Sequence, residues 1–203
     1  MFLFLDIDHT LLNTERFKRA LAGCGRDLGV TPRIFWSAYR QSRTKGLFDV
    51  AAFLSCLPLS LPSRRLLEKR FNAVINDIDT YIYRDASYFL KWAKQQGHVI
   101  VLYTHGKKAF QKKKIDAIRR RHAIHAWVIT ADRTKRRDFT RITRGRTPWV
   151  WIDDFKGVPI QDNVFRGGTL LVLTRKRGNG SHGKPTVRSL YQAITFIQNI
   201  SRA

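Results

Sequence analysis

Phe2-Leu3-Phe4-Leu5-Asp6-Ile7-Asp8-His9-Thr10 is the stretch that decides the fold. An apolar run of strand length ends in two carboxylates spaced i, i+2. A second stretch, Trp149-Val150-Trp151-Ile152-Asp153-Asp154, repeats the arrangement far along the chain. Continuous apolar runs of this length read as strands buried on both faces of a parallel sheet. In open α/β sheets, ligands bind just beyond the carboxyl ends of such strands. Two acidic pairs brought together there repel and need a cation. Hard carboxylate oxygens suit Mg²⁺, so the pattern points to metal-assisted phosphoryl chemistry.

The acids stand out because they are scarce. The 203 residues carry 38 Lys and Arg against 15 Asp and Glu, a formal charge of +23 and a pI near 11.0. The length fits one domain with a sizeable insertion, or a domain and a small second one. With 43% hydrophobic residues, five Trp and thirteen Phe, the chain can bury a real core. A positive field of this size attracts nucleic acid, anionic surfaces or phosphorylated substrates. Cys24 and Cys56 make neither a disulfide framework nor a metal set. They read as reduced core residues of a cytoplasmic protein. No apolar run approaches the ~18 residues of a membrane span, and Asp6 interrupts the short apolar N-terminus, so no membrane partner is expected.

Working outward, residues 2–6 form the first strand, and residues 13–84 read as almost wholly helical. Thr31-Pro32 caps and opens a helix expected to run to about Thr44. Leu57 to Ser63 breaks the pattern before a helix over about Ser63 to Asn76. A helix from Asp85 to Gln96 stops at Gly97. Strands follow at His98–Tyr103 (ending at Thr104), Ala126–Thr130, Trp149–Ile152 and Thr169–Leu173. Helices are expected at Lys107–His122, Thr134–Thr143 and Val187–Ile200, with a Gly-rich basic loop from Arg175 to Pro185. The alternation predicts an α/β, Rossmann-like parallel sheet with helices on both faces, plus a small α-helical cap. Residues 1–12 and 85–203 form the α/β core, and 13–84 the inserted helical cap.

In extended backbone, Asp6 and Asp8 fall on one side. One carboxylate can attack phosphorus while the other handles the leaving-group proton, and Thr10 can bond backbone or phosphate. Asp-x-Asp alone is also a turn signal; here it follows an apolar strand.

The ordered motifs resemble the haloacid dehalogenase-like (HAD) hydrolase superfamily. That family opens with an apolar strand and D-x-D-x-T, matched by Asp6, Asp8 and Thr10. A second strand ends in Thr or Ser, matched at Thr104. A Lys near a helix start comes third, and an acidic pair after the fourth strand, matched by Asp153 and Asp154, comes last. The resemblance implies a phosphatase. Asp6 would be the nucleophile forming an aspartyl-phosphate, and Asp8 the acid and then the base. Asp6, the Asp8 carbonyl and Asp153 would hold Mg²⁺, with Asp154 as an auxiliary ligand. Thr104 would bond a phosphoryl oxygen, helped by backbone amides near His105 and Gly106. The demand is for positioning and charge neutralisation.

For the third motif, Lys135 follows the strand ending at Thr130 at the expected start of a helix, and Lys107, Lys108 and Lys112 are its rivals. Arg136 stands where relatives often carry proline. An acid at position 8 favours a phosphatase over a dehalogenase, and a phosphomutase stays open. His9 reads as a loop residue.

The cap helix over Thr31–Thr44 would place Arg33, Trp36, Arg40 and Arg43 near one face, where an aromatic among arginines can stack a base; such side chains also simply cover cap surface. Between residues 105 and 147 there are fifteen Lys or Arg, and after Asp162 no acid at all. Nucleic acid through this basic surface is therefore a candidate partner, and nucleotide or nucleic-acid phosphates are candidate substrates. The competing reading is a basic nucleic-acid-binding protein with a non-catalytic core of the same kind.

Overall fold

The computed structural model describes residues 1–44, 47–132, 135, 141–144, 148–154, 168–175 and 185–201. Six strands form one parallel sheet: β1 (Phe2–Leu5), β4 (Val99–His105), β5 (Ala126–Thr130), β6 (Trp149–Asp153), β7 (Gly168–Leu173) and β8 (Thr186–Val187). Their order across the sheet is β5-β4-β1-β6-β7-β8. The chain therefore builds outward from β1 in one direction and then returns to build in the other. This reversal puts the topological switch point, where α/β sheets bind ligands, at the end of β1.

Successive residues of β1 point to opposite faces, yet Leu3, Phe4 and Leu5 are all fully buried. Leu102 and Tyr103 of β4, and Trp149 through Ile152 of β6, are likewise buried on both faces. Burial on both sides explains why these strands read as unbroken apolar runs. On one face Phe4, Val101, Tyr103, Trp149, Trp151 and Leu170 form a single cluster. Gly168 is required opposite Trp149, its register partner. A Cβ there would stand 2.2 Å from the indole ring.

The chain divides into two compact units, Met1–Leu12 with Ile82–His105 and His122–Ala203, and Asn13–Tyr81 with Gly106–Arg121. The first holds the sheet with α5 (Arg84–Gln95) and, at the C-terminus, α7 (Leu190–Ile200). Its first and second chain segments meet in an antiparallel bridge, Leu12 to Ile82. The second unit is helical: α1 (Thr14–Gly23), α2 (Pro32–Gln41), α3 (Val50–Ser55), α4 (Leu61–Asn76) and α6 (Lys108–Arg119), with a short hairpin of β2 (Arg43–Thr44) and β3 (Leu47–Phe48). Phe35, Phe53 and Phe71 meet at its centre, with ring centroids 5.0–6.4 Å apart.

Several expectations need correction. α2 is capped by Thr31 as read, but it ends at Gln41, and Arg43 lies in β2, paired with Phe48. The expected Arg33–Trp36–Arg40–Arg43 face does not exist as one helix face. Trp36 is half-buried, edge-on to Phe35 and Tyr39 at 5.1 and 5.5 Å. The block 13–84 thus contains a short β hairpin. Helix α7 starts at Leu190, capped by Ser189. Thr186–Val187, whose second residue was expected to open that helix, forms β8 against β7 instead. Cys24 is half-buried and Cys56 exposed, both free thiols, so neither is a core residue. Most of the expected helix Thr134–Thr143 and of the Gly-rich loop lies outside the described residues; 141–143 are helical.

Candidate active site

Asp6 continues β1 by one residue, its amide donating to the Ile152 carbonyl of β6 at 3.1 Å. The chain then turns at once. The Leu11 and Leu12 amides donate back to the Ile7 carbonyl at 3.0 and 2.8 Å, and the His9 amide to the Leu12 carbonyl at 3.0 Å. His9 closes this turn in the left-handed region, φ +63°, a conformation a non-glycine residue adopts at a cost of about 1 kcal/mol. The turn leaves Asp6 buried, Asp8 half-buried and Thr10 fully buried.

Asp153 is the last residue of β6, in register with Val172 of β7, and is buried. Carboxylate oxygens of Asp6, Asp153 and Asp154 lie within 4.8 Å of one another. Lys135 enters this group. Its Nζ donates to Asp6 Oδ1 at 2.5 Å and to Asp153 Oδ2 at 2.6 Å. Among the rival lysines, Lys107 pairs with Asp49 at 3.4 Å and Lys112 with Asp116 at 2.5 Å, and Lys108 is exposed.

Lys135 was expected at a helix start. Its own backbone is not helical, with φ +58°. The Asp132 amide donates to Thr130 Oγ1 at 3.0 Å, and the Lys135 amide to the Asp132 carbonyl at 3.1 Å. The Tyr103 hydroxyl donates to the Lys135 carbonyl, so the sheet core holds this lysine's backbone directly.

Burial drives the Asp6 carboxyl well above its usual range, and Asp153 and Asp8 push it the same way while Lys135 opposes them. Burial alone would lower the Lys135 pKa, but the Asp153 and Asp6 carboxylates outweigh it and hold the ammonium protonated, above its ordinary value. Both groups cannot be held to their favoured forms independently. The lysine charge is the secure one, because two acceptors within 2.6 Å fix it. Three carboxylates, Asp6, Asp153 and Asp154, gather around one ammonium, which cannot cancel them all. A divalent cation on hard oxygen donors fits that deficit.

Two threonines add hydroxyls near the ends of β1 and β4. Thr104, one residue before the end of β4, and Thr10 each bury an Oγ1 with no hydrogen-bond partner among the described residues. Buried hydroxyls normally find partners, so these two are free to bond an incoming oxygen. His105 ends β4 in register with Thr130. Gly106 follows it in the helical unit, where a Cβ would meet Gln111 Nε2 at 2.6 Å.

Arg175, read from the sequence only as the start of a basic loop, follows β7. Its guanidinium donates to the His9 carbonyl at 3.2 Å, the Thr10 carbonyl at 2.7 Å and Asp85 Oδ2 at 2.9 Å, and lies 3.8 Å from the Tyr83 ring centroid. Asp85 also accepts from the Leu190 amide at 2.8 Å. Arg175 thus ties the Asp8–Thr10 turn to the first turns of α5 and α7. The only sequence signal was its position, two residues beyond a buried strand.

No family model matches this sequence, and no curated protein matches it. Solved structures do. A Thermotoga maritima protein described as a β-phosphoglucomutase matches with TM-score 0.67 and 11% identity, over 98% of this chain and 100% of that one. A Bacillus subtilis HAD hydrolase, YfnB, solved with magnesium bound, matches with TM-score 0.61 and 13% identity, over 96% and 97%. CbbY of Rhodobacter sphaeroides, solved with phosphate, matches with TM-score 0.55 and 18% identity, over 93% of each chain. The chain has the fold of the haloacid dehalogenase-like hydrolases, a Rossmann-like α/β fold.

Proposed function

We propose that the protein is a Mg²⁺-dependent phosphomonoesterase working through an aspartyl-phosphate on Asp6. The observation that carries this is the convergence of Asp6, Asp153, Asp154 and the Lys135 ammonium at the ends of β1 and β6. Magnesium held by the Asp6 and Asp153 carboxylates and the Asp8 carbonyl, with Asp154 as an auxiliary ligand, would neutralise phosphoryl oxygens and the acidic cluster together. An Asp6 oxygen attacks phosphorus, and the bond to the leaving oxygen breaks as Asp8 gives that oxygen its proton. Asp8, now a carboxylate, takes a proton from water, whose oxygen attacks phosphorus and frees Asp6 and phosphate. Thr10, Thr104, Lys135 and amides near His105 and Gly106 hold the phosphoryl oxygens.

The helical residues 13–84 are read as the cap, which would admit the leaving group. Excess positive charge makes nucleotide or nucleic-acid phosphates the favoured substrate class. The two free thiols suit the reducing cytoplasm. Among the described residues no helix is long and apolar enough to cross a membrane. A nucleic-acid-binding protein with a silent core is the second reading. Against it stands the cost of burying several carboxylates with a single ammonium, for which binding a polyanion has no use.

Hydrolysis of p-nitrophenyl phosphate with Mg²⁺ and with excess EDTA decides between them. The expected result is turnover that EDTA abolishes and that Asp6→Asn reduces about 10³-fold or more, the scale of losing a nucleophile. No turnover of this or a panel of nucleotides and phosphorylated oligonucleotides overturns the phosphatase reading.

A further inference from the structure

Several basic residues of the helical unit are committed internally. Arg64 donates to the Leu57 carbonyl at 3.0 Å, and Arg70 forms a double hydrogen bond with Asp27 at 2.5 and 2.8 Å. Lys112 is neutralised by Asp116 on the same helix. Lys114, in the run Lys112–Lys114, is buried, with its Nζ 5.5 Å from the Phe110 ring centroid.

Four others are gathered at one place. Arg65, Lys69, Asn72 and Asn76 of α4 follow the i, i+4, i+7, i+11 spacing of a single helical stripe. They line an open depression of about 440 Å³ together with Glu68 and Ala73. Arg65 and Lys69 are exposed and make no hydrogen bond or ion pair among the described residues. Lys113 of α6 and Arg120, just past its end, reach α4 at this depression: Lys113 Nζ donates to Asn72 Oδ1 at 2.8 Å, and Arg120 Nη2 to Asn76 Oδ1 at 3.1 Å. The asparagines hold both cations at the wall without cancelling their charge. Arg65 and Lys69 line the depression beside its one carboxylate, Glu68, and Lys113 and Arg120 bond its two asparagines.

We propose that this α4–α6 depression binds the phosphate backbone of double-stranded nucleic acid without reading its sequence. Eleven residues of helix rise about 16 Å. Over that length a duplex carries about nine phosphates, at one per ~1.7 Å of axis with both strands counted, enough on the facing side for four cations. Amide side chains between the cations supply hydrogen bonds to phosphate and sugar oxygens. No aromatic side chain lines the depression, so it offers no platform for stacked single-stranded bases, and the duplex backbone is the ligand its chemistry fits. The proposal does not depend on the phosphatase activity; it assigns a use to part of the +23 charge.

Fluorescence anisotropy with a fluorescein-labelled 20-base-pair DNA across a salt series tests it on the full chain. One variant carries R65Q, K69Q, K113Q and R120Q; a control carries K91Q, K94Q, R141Q and R144Q, all exposed in the α/β unit. Both variants remove four positive charges, so the general field falls equally. The depression variant is expected to bind at least tenfold more weakly at 100 mM salt. Its slope of log K against log salt should be shallower by about 3 to 4, at ~0.9 for each phosphate no longer neutralised. The control should weaken less than threefold. Should the fourfold variant fail to fold, R65Q/K69Q removes two side chains that hold nothing in place and is expected to flatten the slope by about half as much. Equal weakening in both fourfold variants, an unchanged slope in R65Q/K69Q, or no duplex binding at 50 mM salt overturns the proposal. So does binding to phosphatidylserine vesicles that the duplex cannot compete away.

Discussion

The Lys135 ammonium lies 2.5 Å from Asp6 Oδ1, across 129 residues of sequence. Both side chains are more than nine-tenths buried, and the second acceptor, Asp153, is as deeply placed. Removing one partner of a buried ion pair costs about 3–5 kcal/mol because it strands the other. Here removal of the lysine strands two carboxylates against each other. Lys135→Met is therefore expected to lose about that much stability in EDTA. Mg²⁺ should restore more stability to the variant than to the wild type, since ligand binding to the folded state adds to stability and the variant has more uncompensated charge. Denaturant unfolding with and without Mg²⁺ measures both numbers; equal Mg²⁺ stabilisation of the two proteins contradicts the electrostatic account.

Asp153 and Asp154 are adjacent but not equivalent. Asp153 ends β6 and is buried; Asp154, just beyond it, is half-buried. Asp153→Ala should raise the Mg²⁺ concentration needed for half-maximal activity much more than Asp154→Ala, about tenfold or more, the effect of losing a direct carboxylate ligand against an outer one. Mg²⁺ titration of turnover in the two variants checks the ranking.

Arg175 positions the Asp8–Thr10 turn through two carbonyls, and its loss also leaves Asp85, among the described residues, with only the Leu190 amide. Arg175→Met should cost about 3 kcal/mol of stability and lower kcat more than it raises KM, because Asp8 would lose its fixed place while the phosphate-binding groups remain. Arg175→Lys keeps the charge but cannot reach all three acceptors at once and should recover stability better than kcat. A change confined to KM speaks against a positioning role.

Asp49 caps α3, accepting from the Ala51 and Ala52 amides at 3.0 and 3.2 Å. The Ala52 hydrogen bond first, and then Lys107, hold its carboxyl below the usual carboxylate range. A depressed folded value contributes stability above the unfolded value, ~3.9, and loses it as pH falls through the folded one. Asp49→Ala is expected to cost about 1 kcal/mol at neutral pH, the usual worth of such a cap. The wild-type and variant stabilities should converge in acid below the ordinary carboxylate range. A gap that persists unchanged in strong acid rules out the charged cap as its source.

Sequence alone determined the elements whose signal is local. Buried strands announce themselves as apolar runs, so β1 and β5 appear within a residue of where they were read, and Asp6, Asp8, Asp153 and Asp154 stand at strand ends because the chain turns where the run stops. Caps such as Thr31 act within one turn and are equally legible. What only tertiary structure decided involves partners distant in sequence. The Thr186–Val187 strand is two residues long and exists by pairing with β7, so no periodicity marks it. Lys114 is buried although it ends a run of three lysines, because burial depends on what packs over a helix face. Arg175 meets His9 and Thr10 across 165 residues or more. The sequence favoured Lys135 by its position after β5, but its contact with two carboxylates exists only because β1, β5 and β6 come together. Charge in the sequence is a total, and only the fold shows which cations are cancelled internally and which are left facing solvent.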